Sequence, residues 1–263
     1  MSLAMDINLK TNLVAYKTIL IKEILRFSRI WLQTIFPPAV MMSLYFIIFG
    51  KLIGSQIGDI KGYTYMEYIV PGLILMSVIT NSYSNVVASF YSTKFHHNIE
   101  EMLVSPISNF TILAGYVSGG VARGIVVGVC VTIVSLFFTN LPIAHPFLML
   151  VVVILTATLF SIAGFINAMF AKSFDDISIV PTFVLTPLTY LGGVFYSVNM
   201  LPEFWQNVSF FNPVLYMVNT FRYGVLGVTD ANPVTAFVII LSFIAVFTFI
   251  SLWLLKKGVG IKS

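Results

Sequence analysis

Charge is what this chain has least of. Asp, Glu, Lys and Arg together make up 9% of its 263 residues, against roughly 25% in an average soluble domain. No polar run is long enough to build a water-soluble core, which excludes a soluble enzyme and a soluble domain held on an anchor. Cysteine occurs once, at Cys130 in an apolar run. No disulfide can form within the chain, and cysteine usage says nothing of redox compartment. The phosphate-cradling pattern G-x-x-x-x-G-K-[ST] is absent, so no nucleotide is held here by a P-loop. A nucleophile elbow and an H-E-x-x-H motif are absent too.

What fills the chain is hydrocarbon: 58% of it is hydrophobic. Roughly 20 apolar residues cross a bilayer as a helix, and hydropathy places six such spans, at about 31–53, 66–91, 112–138, 146–170, 177–198 and 233–255. The expected fold is an all-α polytopic membrane protein forming a single transmembrane domain over 1–263. The first long apolar run begins near Ile30, too late for a signal-peptide core, and no cleaved leader is expected. Residues 1–4, ahead of Met5, read as a possible added segment and are set aside.

Ahead of the first span, Leu9, Leu13, Tyr16, Leu20, Ile24, Phe27 and Trp31 recur at spacings of three and four. That is one apolar stripe on a helix over 9–30. Lys17, Lys22, Arg26 and Arg29 lie off the stripe, so the helix reads as interfacial, on an anionic leaflet. Basic residues also set orientation. Lys10, Lys17, Lys22, Arg26, Arg29, Lys94, Lys172, Lys256, Lys257 and Lys262 fall on one side, against Lys51, Lys61 and Arg222 on the other. Both termini are therefore expected in the cytoplasm. Topology accounts for the basic excess, and no nucleic-acid partner is expected.

The longest polar interruption is residues 94–108, KFHHNIEEMLVSPIS. Phe95, Ile99, Met102 and Leu103 share one helical face, with His96, His97, Asn98, Glu100 and Glu101 around it. Ser105-Pro106 stops the helix, because Pro lacks an N–H and biases its predecessor out of the α region. A short amphipathic helix of this kind belongs on headgroups or in the groove of a soluble partner. His96 with Glu100 and His97 with Glu101 stand four apart, yet they read as a solvated face, and no metal is expected.

Within the third span, Gly120, Gly124 and Gly128 form a small-residue face that lets another helix come close. Arg123 of the same span is a charge at membrane depth and needs a partner. Glu100, Glu101, Asp175 and Asp176 are the cytoplasmic acids that could serve; snorkelling to the inner interface is the alternative. The fifth span carries Pro181, Pro187, Gly192 and Gly193, so it is expected kinked or broken, and lipid tolerates that only where protein or a cavity satisfies the freed backbone. Pro71-Gly72 suggests the same in the second span. Residues 199–232 are too long for a turn and too apolar for an exposed loop. Pro202 opens one helix, and Asn212-Pro213 caps and opens another. Each is too short to span, which fits a hairpin dipping into the outer leaflet and returning.

These features together resemble the membrane subunits of ABC-2-type exporters over nearly the whole chain. The resemblance rests on the N-terminal helix, the EEMLVSPIS run ending at Ser108, the broken span with Tyr190-Leu191-Gly192-Gly193-Val194-Phe195, and the Pro202, Asn212-Pro213, Arg222-Tyr223, Gly227 series. The chain looks most like short bacterial members without a fused ATPase. The resemblance implies a homodimer joined by two copies of a separate P-loop ABC ATPase in the bacterial inner membrane. It implies that ATP and Mg sit on that partner, with no cofactor in this chain, and that hydrolysis happens there. The ATPase would grip the coupling segment, Phe95, Ile99, Glu100, Glu101, Met102, Leu103, Ser105 and Pro106, and the N-terminal helix. An amphiphilic substrate (lipid, glycolipid, polysaccharide or hydrophobic drug) would pass outward along the first, second and fifth spans. Tyr45, Phe49, Asn81, Tyr83, Tyr190 and Phe195 are the path residues so implied. The rival readings are a secondary transporter or channel without an ATPase, which calls for intramembrane carboxylates, and an intramembrane enzyme, for which Cys130 has no evident His partner.

Overall fold

The structure is a computed structural model that describes residues 2–260, with side chains described from residue 9 onward except at 51 and 55. Lys262, counted above among the cytoplasmic cations, lies outside the described residues. In chain order the helices are α1 (Ser2–Arg29), α2 (Trp31–Thr34), α3 (Phe36–Tyr45) with a π-helical continuation (Phe46–Ile53), α4 (Gly54–Ile57), α5 (Tyr65–Phe95), α6 (Asn98–Val104), α7 (Asn109–Ser135), α8 (Pro146–Phe170), α9 (Asp176–Val180), a second π-helical stretch (Pro181–Leu185), α10 (Thr186–Leu191), a 3-10 turn (Val198–Met200), α11 (Glu203–Phe210), α12 (Pro213–Leu226) and α13 (Pro233–Lys257). No strand occurs among the described residues; Ile60 and Tyr63 form one isolated bridge.

Helix starts follow local capping chemistry. The Thr64 side chain accepts from the Glu67 N–H, and the Glu67 carboxylate takes the Thr64 N–H at 2.8 Å, a reciprocal capping box. Asn212 and Asn232 each accept the N–H two residues on at 2.9 Å, with Pro at the first helical position behind them. Gly227 and Gly258 end α12 and α13 with φ of 76° and 66°, the left-handed closure glycine permits at least cost.

The core is built around α5, which is buried along most of its length and packs against α7, α8 and α12. Gly120, Gly124 and Gly128 do face it: a Cβ at Gly128 would lie 2.8 Å from Val78 Cγ2, and one at Gly124 would lie 3.1 Å from Ser82 Cβ. A Cβ at Gly72 would stand 2.7 Å from the Val194 carbonyl oxygen. Pro71-Gly72 therefore lets a second stretch of backbone touch α5 without interrupting the helix.

Among the described residues, five helical segments are long and apolar enough to cross a bilayer: Trp31–Gly50, Tyr65–Phe95, Asn109–Ser135, Pro146–Phe170 and Pro233–Lys257. The fifth expected span, 177–198, is different. Its apolar helix covers only Asp176–Leu191, widened to a π turn from Pro181 and closed at Gly192–Gly193, where Gly193 has φ 71°. The prolines widen the helix without interrupting it, the end comes earlier than expected, at the glycine pair, and residues 192–197 continue as irregular backbone.

The N-terminal helix also departs from its pattern. The apolar stripe is largely exposed at Leu9, Leu13, Ile24 and Trp31. The packed face is a second stripe, Asn12, Tyr16, Ile19, Glu23 and Phe27, which shares Tyr16 and Phe27 with the first and is laid along α7: Tyr16 Oη lies 3.0 Å from Ser118 Oγ, and Ile19 and Glu23 fill the space beside Gly115 and Gly119.

Candidate functional site

The polar interruption at 94–108 is an elbow rather than one helix. α5 runs through Phe95, the chain turns at His97 with φ 59°, and α6 begins at Asn98. Phe95 therefore does not share a helix with Ile99. Ile99 is 1% exposed and packs inward, with Met102 and Leu103 half-buried against the same core. This corrects the expected docking face. The apolar side of α6 is consumed by the chain's own interior, because burying it beside Tyr116 and the end of α5 removes it from water. What α6 leaves exposed is Asn98, Glu100, Glu101 and Val104, the last 84% exposed, with His97 Nδ1 3.1 Å from Glu100 Oε1. Ser105 is extended ahead of Pro106, so the helix stops as the sequence predicts.

A second loop joins this surface. Phe174, between α8 and α9, stacks on Phe95 at 5.2 Å and edge-on to Tyr91 at 4.9 Å. Lys94 Nζ donates to the carbonyls of Met169 and Ala171 at 2.8 and 2.7 Å, fixing the α5 elbow to the end of α8. The Asp176 carboxylate takes the N–H groups of Lys172 and Ser173 at 2.8 and 3.1 Å. Phe174 was not foreseen as part of this surface. Its signal was present as a lone aromatic inside a polar loop.

Four of the six expected path residues come together. Tyr45, Phe49, Tyr190 and Phe195 form one aromatic cluster, with ring centroids 5.0–5.8 Å apart and Tyr45 Oη 3.5 Å from Tyr190 Oη. Both π-helical stretches adjoin it, and the Tyr65 hydroxyl donates to the Phe195 carbonyl at 3.0 Å. Asn81 and Tyr83 lie elsewhere, both buried on α5. Tyr83 lines an apolar cavity of about 610 Å³ with Asn167, Leu188 and Phe247.

Arg123 finds none of the four acids considered for it. Its Nη2 donates to Asn81 Oδ1 at 3.1 Å. One turn along α5, Arg26 Nη2 donates to the Asn85 carbonyl, Asn85 Oδ1 and Glu23 Oε2 at 3.0, 2.8 and 3.0 Å. Glu23, fully buried, also accepts from Ser89 Oγ and from Asn85 Nδ2 at 3.4 Å. Arg26 was expected on a headgroup-facing surface; its side chain is 29% exposed and turned into this network instead. Lys22 reaches Thr93 Oγ1 at 3.4 Å, while Lys17 and Arg29 are exposed.

On the opposite end of α5, Arg222 is completely buried. Its Nε donates to the Tyr68 carbonyl at 3.1 Å, Nη2 to the Gly193 carbonyl at 2.7 Å and Nη1 to Asn219 Oδ1 at 3.3 Å. The guanidinium lies 4.0 Å from the Tyr68 ring centroid. Tyr68 Oη and Ser197 Oγ donate to Asp230 Oδ2 at 3.0 and 2.9 Å, and Lys61 pairs with Asp230 Oδ1. Burial pushes the Asp230 carboxyl up, but hydrogen bonds from Lys61, Ser197 and Tyr68 and the Lys61 charge hold it below its ordinary range. Pro202, Asn212 and Pro213 take the positions expected for them: Pro202 precedes α11, Asn212 caps α12 and Pro213 opens it. The Asn212 amide also donates to the Leu188 carbonyl at 2.6 Å, joining the two-helix unit to α10. Asp230 carries no sequence signal, being a lone charge in a short loop, and Lys61 enters the sequence reading only as one of the outer cations.

The family described as ABC-2 type transporter covers residues 14–226. The chain belongs to the ABC-2 type transporter family. Among its relatives is the inner membrane transport permease YadH of Escherichia coli K12, 57% identical over 250 residues, which are 95% of this chain and 98% of the relative. More distant are nodulation protein J of Rhizobium leguminosarum bv. viciae, 23% identical over 81% of this chain and 83% of its own, and that of Rhizobium meliloti, 23% identical over 70% and 71%. As a member of the ABC-2 type transporter family the chain is a transport permease with several membrane-crossing helices.

Proposed function

We propose that this chain is the membrane half of an ATP-driven exporter: two copies work with two copies of a separate P-loop ATPase, and they move an amphiphilic molecule outward across a bacterial inner membrane. ATP and Mg belong to the partner, and this chain supplies coupling and a path. Both termini lie in the cytoplasm, α1 rests at the inner interface, Asp176–Leu191 completes six crossings, and α11–α12 dip into the outer leaflet and return.

The observation that carries the reading is the elbow. It presents exposed aromatics (Phe95, Phe174) beside exposed acids (Glu100, Glu101) and Val104, at the end of a helix that continues through the whole core. A soluble partner with a basic-rimmed apolar groove fits such a surface. Met102, Leu103, Ser105 and Pro106 act by holding α6 in place, and Ile99 anchors it from within. The aromatic cluster of Tyr45, Phe49, Tyr190 and Phe195 supplies a partly exposed apolar wall with hydroxyl groups, suited to a molecule with hydrocarbon and polar parts.

Glu23 is a buried carboxylate of the sort a proton- or sodium-driven carrier would need. Arg26, Asn85 and Ser89 already occupy it, so it is structural here. The test is reconstitution. The chain should co-purify with a P-loop ATPase, and substrate movement should require ATP. Transport in proteoliposomes containing this chain alone would replace the reading with that of a secondary transporter or channel.

A further inference from the structure

The polar network at the junction of α1, α5 and α7 has more positive charge than it can use. Charged groups facing it are Glu23 and Arg26 from α1 and Arg123 from α7, with Lys22 at its edge; α5 contributes only Asn81, Asn85 and Ser89. One carboxylate thus stands against two guanidinium groups. The two arginines bond to α5 positions one turn apart and repel each other. Each has a buried Nε hydrogen without an acceptor, a cost that a second anion would remove. Neither side chain is closed off, since both are only partly buried.

Depth identifies the anion's source. From Tyr65, the first residue of α5, to Asn85 is a rise of roughly 30 Å at 1.5 Å per residue, the thickness of the hydrocarbon core. With one edge of the apolar core placed at Tyr65, Asn85 and Arg26 lie where that core gives way to headgroup phosphates, and Arg123, bonded to Asn81, lies about 6 Å further in.

We infer that Arg123 and Arg26 form a binding site for the phosphate of an anionic membrane lipid, seated between α1, α5 and α7. Arg123 supplies the donors with fewest existing partners, and Arg26 supplies the rest while remaining paired to Glu23. The leaflet assignment, inner, rests on the orientation proposed above; the site itself does not.

Binding can be read on the purified chain without any ATPase, so its failure is separable from failure of the transport reading. The probe is phosphatidylglycerol titrated into detergent-solubilised protein, with phosphatidylcholine and inorganic phosphate as comparison arms. Bound lipid is counted by native mass spectrometry. Wild type should retain phosphatidylglycerol over phosphatidylcholine, and Arg123→Gln should weaken that retention about tenfold, the loss of one charge-assisted contact. Arg123→Lys should recover most of it. Glu23→Gln, nearly the same shape and one negative charge fewer, should bind as tightly as wild type or tighter. If the network is only a structural lock, Glu23→Gln and Arg123→Gln will weaken retention alike, and the inference fails. Equal retention in wild type and Arg123→Gln, equal binding of phosphatidylcholine, or displacement of the lipid by equimolar inorganic phosphate would also overturn it.

Discussion

The guanidinium of Arg222 lies over the Tyr68 ring, 4.0 Å from its centroid, while its Nε donates to the Tyr68 carbonyl at 3.1 Å. One side chain thereby fastens α12 to α5, and its Nη2 bond to Gly193 brings in the backbone that follows α10. Three separate stretches of chain share a single buried charge. Arg222→Lys keeps the charge but cannot reproduce three donors in a planar fork. Removing part of a buried charged network costs on the order of 3 kcal/mol. A denaturant titration of the purified chain, followed by tryptophan fluorescence, should show a loss of that size. A loss below about 1 kcal/mol would mean the fork is not what joins these segments.

Asp230 gives the cluster around Arg222 an acid limit. Its carboxyl is held below the ordinary range, so the unfolded chain binds the proton first. The stabilisation is complete above the unfolded pKa of about 4 and is lost as pH falls through the lower folded value. Other carboxylates titrate nearby, so the informative quantity is the difference between wild type and Asp230→Asn. The gap should be largest near pH 6 and narrow below about pH 4. A gap that is constant from pH 6 to pH 3 would count against the ionised pairing.

Gly72 and Gly124 separate two kinds of close approach. A methyl at Gly72 meets backbone, the Val194 carbonyl oxygen at 2.7 Å; a methyl at Gly124 meets side-chain carbons at 3.1–3.5 Å. Backbone held by Arg222 cannot easily give way. Gly72→Ala should therefore cost about 1–3 kcal/mol, in the range of overpacked cores, and Gly124→Ala distinctly less. Equal thermal midpoints for the two variants would contradict this.

The two faces of α6 call for opposite phenotypes. Ile99→Ala removes core volume and should destabilise the chain itself by about 2–4 kcal/mol. Reversal of Glu100 and Glu101 to Lys touches exposed side chains. It should leave the thermal midpoint of the isolated chain unchanged, while weakening capture of the partner ATPase at low salt about tenfold or more. Undiminished capture by the reversed variant would move the docking surface elsewhere, to Phe174 first.

Topology of the α11–α12 unit can be checked in a Cys130→Ser background. Trp205→Cys, at a partly exposed position, should react with an impermeant maleimide from the outside only. Asn219→Cys should stay unlabelled from both sides, because Asn219 is fully buried against Arg222 and Asp230. Labelling of Trp205→Cys from the cytoplasm would mean that the unit crosses the membrane.

Signals confined to a few neighbouring residues were legible in the sequence. Asn212-Pro213 starts a helix because cap and ring act on their own turn, and Ser105-Pro106 stops one for the same reason. Gly120, Gly124 and Gly128 marked a close helix contact without saying with which helix. What periodicity could not settle was which way a face turns. α6 has an apolar side in either reading, and only the packed neighbours of Ile99 decide that it points inward. Glu23 was passed over because a lone acid among lysines and arginines reads as solvated. Its real sign was a second stripe, from Asn12 through Tyr16, Ile19 and Glu23 to Phe27, running beside the apolar one. Arg123 invited a search for carboxylates, yet an amide on the neighbouring helix answers it. Long-range polar pairs such as Lys61 with Asp230 leave no periodic trace at all.

The uninterrupted run of α5 has a mechanical consequence. A 31-residue helix is a rod about 46 Å long, clamped at one end by Arg222 and Tyr68 and turned at the other into the α6 elbow. Pro71 sits within it without breaking it. A tilt of about 5° at the elbow displaces the far end of such a rod by roughly 4 Å, as much as the 4.0 Å between the Tyr68 ring centroid and the guanidinium over it. Leverage along one stiff element therefore links the two ends of the molecule, and no relay of intervening side chains is required.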